Sequence, residues 1–140
     1  DVDPIMKMCV YDGAKVVADA VAKNINSLPV RDPKDNKHRK RVKGVTPDEK
    51  AALQKGFGIA KMRSEGDSVN TVLGFDGDDN NITAKYPKGH PISMIARANE
   101  VGTSWLVKSP FLKPAYNSSR AAAEAAMSKR FDEEMKKRGK

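Results

Sequence analysis

Residues 46–75 read TPDEKAALQKGFGIAKMRSEGDSVNTVLGF, and this stretch changes from helical to extended patterning within thirty positions. Its start carries three helix signals at once. Thr46 offers a capping hydroxyl, Pro47 suits the first helical position, and Glu49 stands three residues after the cap, where its side chain can reach back. Asp48 and Glu49 also favour the positive end of a helix. Ala51, Ala52 and Leu53 continue the helix and Gly56 stops it. Beyond it, residues 57–64 and 68–75 flank Glu65-Gly66-Asp67, a turn in which glycine allows positive φ. Ile59, Val69, Thr71, Val72 and Phe75 favour strand, although their alternation is imperfect and leaves the register open. A short capped helix followed by a hairpin points to an α+β chain.

Working towards the N-terminus, residues 4–28 predict a long helix. Ile5, Cys9, Val17, Val21, Ile25 and Leu28 keep one face apolar, Lys15, Asp19 and Lys23 suit pairing at four-residue spacing, and Pro29 ends the run. Gly13 weakens the pattern locally. Towards the C-terminus, residues 76–81 are turn-rich and continue as an extended arm to Pro91. Ile92, Ile95, Ala96 and Asn99 predict a short helix over 92–101, broken by Gly102-Thr103-Ser104. A final long helix starts at Pro110 or Pro114 and runs to Lys137, with a narrow stripe of Ala115, Ser119, Ala122, Ala123, Ala126, Met127, Phe131 and Met135. The expected fold is a single α+β domain over 1–140: a small antiparallel sheet packed against two long helices, with a short helix and long mobile loops, both long helices lying across one sheet face.

The formal charge is +8, and its placement matters more than its size. Residues 30–44 hold seven basic residues, Arg31, Lys34, Lys37, Arg39, Lys40, Arg41 and Lys43, against only Asp32 and Asp35. The segment has almost no apolar residues and reads as a mobile loop. Three roles stay open for it: a solvated loop, a patch for an acidic protein neighbour, or a phosphate-neutralising contact with DNA through Lys37, Arg39, Lys40, Arg41 and Lys43. No interleaved aromatics point to base stacking.

Little else suggests chemistry. One cysteine, Cys9, reads as a small packing residue and suits a reducing cytosol. His38 and His90 are far apart, the first in the basic loop and the second in a Gly-His-Pro turn, so zinc spacing is absent. Asp76, Asp78 and Asn80 alternate as in a calcium loop, but Asn81 and Pro87 stand where such a loop needs Gly and Glu. No nucleophile–base grouping or phosphate loop appears, and no cofactor is expected. No apolar run approaches the ~20 residues that span a bilayer, and no signal peptide is read. Trp105, Leu106 and Val107 form an apolar cluster in a loop. Burial against another subunit and folding back on the chain itself fit it equally.

One resemblance is specific. Glu100-Val101-Gly102-Thr103-Ser104, then five residues, then Pro110-Phe111-Leu112-Lys113-Pro114-Ala115 resembles the E-x-G-T-S … P-F-[LI]-x-P-A signature of the gene-product-ten-like tail-completion (head–tail joining) proteins of long-tailed bacteriophages. The words Gly58-Ile59-Ala60-Lys61-Met62 and Val72-Leu73-Gly74-Phe75-Asp76-Gly77, and the order of elements, are also similar. Val101 departs from the aromatic that many members carry there, and the basic loop is longer and more charged. The resemblance implies a non-enzymatic virion protein made in the host cytoplasm. It implies a closed ring of six copies in the neck, between the head connector or head-completion protein and the tail terminator or tail tube. It also implies non-specific contact with packaged DNA and none with membrane. The signature itself reads as architecture: Gly102 gives a tight backbone exit, Pro110 and Pro114 stiffen the start of the last helix, and Phe111 and Leu112 anchor it.

Overall fold

The computed structural model describes residues 2–34 and 41–139. In chain order its elements are α1 (Asp3–Asn26), β1 (Val42–Lys43), α2 (Pro47–Gly56), β2 (Phe57–Ile59), β3 (Arg63–Glu65), β4 (Ser68–Asn70), β5 (Leu73–Phe75), α3 (Ile92–Val101), β6 (Leu106–Val107) and α4 (Leu112–Arg138). The α+β class is as expected, with two long terminal helices and small pieces of sheet.

The capping box closes in both directions. The Glu49 amide donates to Thr46 Oγ1 at 3.2 Å, and the Thr46 amide donates to Glu49 Oε1 at 2.9 Å. The helix so started serves its neighbour: Lys50 Nζ donates to the Asn26 carbonyl at 2.7 Å and Gln54 Nε2 to Asn26 Oδ1 at 2.6 Å. These bonds satisfy groups at the end of α1, where a cation also complements the helix dipole.

The hairpin forms around Gly66, whose φ is +59°, in two registers. At its base Phe57 faces Phe75 and Ile59 faces Leu73, and at its tip Arg63 faces Asn70 and Glu65 faces Ser68. Residues 60–62 therefore oppose only 71–72, so one strand carries an extra residue, as in a bulge. That bulge is why the alternation along the sequence slips.

The β structure is three two-stranded pieces rather than one sheet. The piece that sequence reading missed is parallel: Val42 pairs with Leu106 and Lys43 with Val107, flanked by a Val30–Val45 bridge. The basic loop is thus anchored at both ends in β structure, and residues 35–40 lie outside the described residues.

Helix α4 packs antiparallel on α1, and it is α1 that touches β2 and β4. The expectation that both helices cross one sheet face is corrected to a helix pair with the hairpin against one member. Gly13 makes the approach possible: a Cβ there would sit 2.7 Å from Met127 Cγ. The apolar stripe of α4 also turns away towards its end. Phe131 and Met135 are exposed, and Arg130 takes the seam instead, with Nε 2.8 Å from Asp12 Oδ2. The core gathers Val21, Ile25 and Leu28 of the α1 end with Val45, Leu53, Ile92, Ile95, Phe111 and Ala115. Phe75 links the hairpin base to it, its ring 5.2 Å from Phe57 and 6.1 Å from Phe111.

Candidate functional site

The signature segment folds into one closed junction between α3 and α4. Glu100, in the last turn of α3, turns its carboxylate onto the start of α4. Oε1 accepts from the amides of Phe111 and Leu112 at 2.8 Å each, and Oε2 from that of Lys113 at 3.1 Å. The fourth position is Pro114, which has no N–H, so all three orphan donors at the start of α4 are met by one anion, at the end where the dipole favours it. Helix α4 has no cap from its own preceding residue. A glutamate eleven residues upstream does that work.

The intervening chain is shaped to bring the two ends together. Gly102, at φ +83°, exits α3 where a Cβ would lie 3.2 Å from the Leu106 carbonyl oxygen and the Lys108 amide. Thr103 holds the turn: its amide donates to the Leu106 carbonyl at 2.9 Å, and its Oγ1 accepts from the Leu106 amide at 3.0 Å. The Ser109 amide donates to the Asn99 carbonyl at 2.7 Å. Phe111 is buried, and its carbonyl accepts from Asn24 Nδ2 at 3.1 Å, tying the junction to α1. Leu112 packs against the core, while Ser104, Pro110 and Pro114 are exposed. The signature residues are brought together around a helix start, and only Pro110 and Pro114 of them border an open cleft, which lies on the side facing the end of α1.

The apolar cluster divides. Leu106 is 2% exposed and packs inward as part of β6, so it is corrected from interface candidate to core residue. Val107 is half-buried, and Trp105 alone stays open, at 47% exposure. Trp105 also carries Arg31 over its ring at 5.5 Å. Arg31 is itself buried, donating from Nε to the Gly44 carbonyl at 2.9 Å and from Nη2 to Glu49 Oε1 at 3.3 Å. A residue counted as loop charge is a structural tie between the capping box, the loop base and Trp105. The signal in sequence was slight: an arginine two residues after the proline that closes α1.

Of the basic candidates, Lys37, Arg39 and Lys40 lie outside the described residues. Arg41 is exposed but engaged, with Nη2 donating to the carbonyls of Thr103 at 3.0 Å and Leu106 at 3.1 Å. Lys43 is exposed and lines a cleft of about 420 Å³ together with Asn24, Ser27, Lys108 and Ser109.

Elsewhere, Asp48, Glu49, Asp78 and Asp79 line a second cleft of about 610 Å³ with Lys55. Among the described residues no group of three His, Cys, Asp or Glu side chains could hold a metal ion. His90 is held in its turn: its amide donates to Asp79 Oδ1 at 2.7 Å, and its ring packs tilted against that of Tyr86, the centroids 4.5 Å apart. Its Nδ1 lies 3.4 Å from the same carboxylate oxygen, without hydrogen-bond alignment. Cys9 is buried in the α1–α4 seam, and burial, with Asp12 adding to it, pushes its thiol above the ordinary range. That is the setting of a packing residue. Among the described residues no helix is long and apolar enough to cross a membrane. Compared with protein-family models, with curated proteins and with solved structures, the chain matches none of them.

Proposed function

We propose that the chain is a non-catalytic structural subunit of a phage neck ring, which completes the tail and joins it to the head connector around the DNA channel. The observation that carries the reading is the junction at residues 100–113: a signature resembling that of head–tail joining proteins is used here for a helix cap, with Glu100 on three amides of α4. A carboxylate so placed positions a helix, with three of its roughly four acceptor sites taken by amides. Trp105, half-exposed beside the junction, and the exposed Phe131 and Met135 of α4 are the apolar groups such a subunit offers to neighbours. Closed rings arise when heterologous contacts of this kind return on themselves. In this reading the protein is made in the host cytoplasm, ends in the virion neck, and contacts the head-completion and tail-terminator or tail-tube proteins.

The rival reading, a nucleic-acid-binding module acting through residues 30–44, loses Arg31, which is buried and paired with Glu49, while Arg41 is exposed and keeps its charge with its guanidinium held on the Thr103 and Leu106 carbonyls. The decisive test is electron microscopy of particles assembled without this protein. Filled heads and separate tails are expected, and normally joined virions would refute the proposal. Native mass measurement of the purified chain tests the ring directly, with a multiple of the 15.3 kDa protomer expected.

A further inference from the structure

We infer that residues 79–90 form a strap closed at its base by a proton-dependent clasp, in which the protonated imidazole of His90 grips the carboxylate of Asp79. The clasp is a property of one protomer and stands whether or not the chain closes into a ring.

The two limbs of the strap meet at one point. The Asp79 amide donates to the His90 carbonyl at 2.8 Å, and the His90 amide donates back to Asp79 Oδ1 at 2.7 Å. A bridge between Asp78 and Pro91, and a bond from the Ile92 amide to the Gly77 carbonyl at 3.0 Å, carry the closure on to α3. Gly89, at φ +94°, lets the limbs touch, since a Cβ there would overlap the Asp79 carbonyl oxygen. Beyond the base, support is thin. Residues 80–85, 87 and 88 are exposed, and Ile82, at 69%, is the most open of the large apolar side chains described. Tyr86 ties the strap to α3, its hydroxyl 3.6 Å from Met94 Sδ. A segment with so little burial opens at low cost, so its base decides whether it stays closed.

That base holds an incomplete interaction. His90 Nδ1 is shut off from solvent without a hydrogen-bond partner, 3.4 Å from Asp79 Oδ1. The same oxygen already accepts the His90 and Asn81 amides, at 2.7 and 3.0 Å. A neutral ring offers it either a lone pair, which repels, or an N–H out of line, which adds little. A proton makes the ring a cation with N–H on both nitrogens, and its attraction to the carboxylate no longer depends on alignment. The two side chains are 21% and 10% exposed, enough to admit a proton to the ring while water screens the pair less than a surface pair. The Tyr86 ring backs the imidazole, with the centroids 4.5 Å apart.

Other charged groups stand near the pair. Asp78 adjoins Asp79, and Asp48, Glu49 and Lys55 of α2 line the same cleft. Lys85 lies 5.6 Å over the Tyr86 ring, and Lys88 is in the strap itself. On α3, Arg97 is exposed and Glu100 is turned onto α4. Among the described residues Asp79 is the one within ion-pair reach of the imidazole. The charged ring meets that carboxylate more closely in the closed strap than in the open one, so closure takes up a proton. Closure therefore strengthens as pH falls from about 8 to about 5, where imidazoles gain charge, and weakens as pH rises. Ile82 is presented on a fixed loop at the acid end and on a free strap at the alkaline end.

The test is hydrogen exchange at the amides of residues 80–90 at about pH 5.5 and about pH 7.5, each rate divided by that of the unstructured chain at the same pH. Relative to Val21 and Ile25 in the core, protection in the wild type should rise about three- to tenfold at the lower pH. His90→Gln should lose the rise. His38→Gln, which removes the other histidine, should keep it. Asp79→Asn leaves an acceptor for the two amides but no charge, so it should also lose the rise, and it serves if His90→Gln melts early. A flat wild-type profile overturns the clasp. So does a rise that survives in His90→Gln or in Asp79→Asn, which would assign the proton to another group, and so does a rise lost in His38→Gln.

Discussion

Replacing Glu100 with alanine should be among the most destabilising single changes on a partly exposed side chain of this protein. The carboxylate accepts three amides at 2.8, 2.8 and 3.1 Å at the start of α4. Losing a helix cap costs about 0.5–2 kcal/mol. Losing a negative charge at the helix start adds about 0.3–1 kcal/mol. Phe111 is 1% exposed, so its amide cannot turn to water when the carboxylate goes, and an unsatisfied buried donor costs about 1–3 kcal/mol. These contributions overlap, and about 2–4 kcal/mol is expected for Glu100→Ala. Glu100→Gln keeps an acceptor oxygen and loses the charge, so about 1–2 kcal/mol is expected. Urea unfolding with an unchanged slope measures this directly. The control is Glu124→Ala on the exposed face of the same helix. There the carboxylate pairs, among the described residues, with Arg120 at 3.2 Å, and should contribute less than about 0.5 kcal/mol. Hydrogen exchange at the amides of Phe111, Leu112 and Lys113 should speed up selectively. A Glu100→Ala protein as stable as the Glu124→Ala control would show that the junction is not held by this cap.

Arg31→Ala should cost about 2–4 kcal/mol, since it strips the Gly44 carbonyl and Glu49 of a buried donor. It should also shift the fluorescence of Trp105, the only tryptophan in the chain, and an unchanged spectrum would contradict the stacked arrangement. Gly13→Val puts side-chain carbon where Met127 Cγ already lies 2.7 Å from an ideal Cβ, so overpacking of about 1–3 kcal/mol is expected in thermal unfolding. A variant as stable as wild type would mean that α4 is not pressed on α1 there. Asp3 is held below its ordinary range first by the Ser64 hydroxyl, 3.0 Å from Oδ1, and then by Lys7. A lowered carboxyl pKa contributes stability above the ordinary value, and that contribution is lost as pH falls through the lowered one. The tie from α1 to the hairpin tip should therefore loosen only below about pH 4. Amide exchange over residues 63–70 follows it, and protection that is the same at about pH 5 and about pH 2.5 would contradict the tie.

Local rules were legible in the residues that carry them. The capping box at Thr46 and Glu49, the turn at Gly66 and the periodic face of α1 all depend on neighbours within a few positions, so the sequence displays them directly. Pairings between distant positions were not legible. Nothing near Arg31 says that it will stack on Trp105, and nothing near Glu100 says that it will cap a helix eleven residues later. The two-residue strands β1 and β6 are too short to leave a pattern, and they exist because Val42 and Leu106 meet across the fold. The stripe predicted for α4 failed at Phe131 and Met135 because Asp12, on another helix, draws Arg130 into the seam.

By itself, then, the sequence determined where α2 starts, where the hairpin turns and that the class is α+β, since those outcomes follow from propensity and spacing along one short segment. Tertiary structure alone decided which charges are structural and which remain open to a partner. That distinction depends on which backbone carbonyls and carboxylates lie within hydrogen-bond reach once the chain has folded, and no local pattern encodes it.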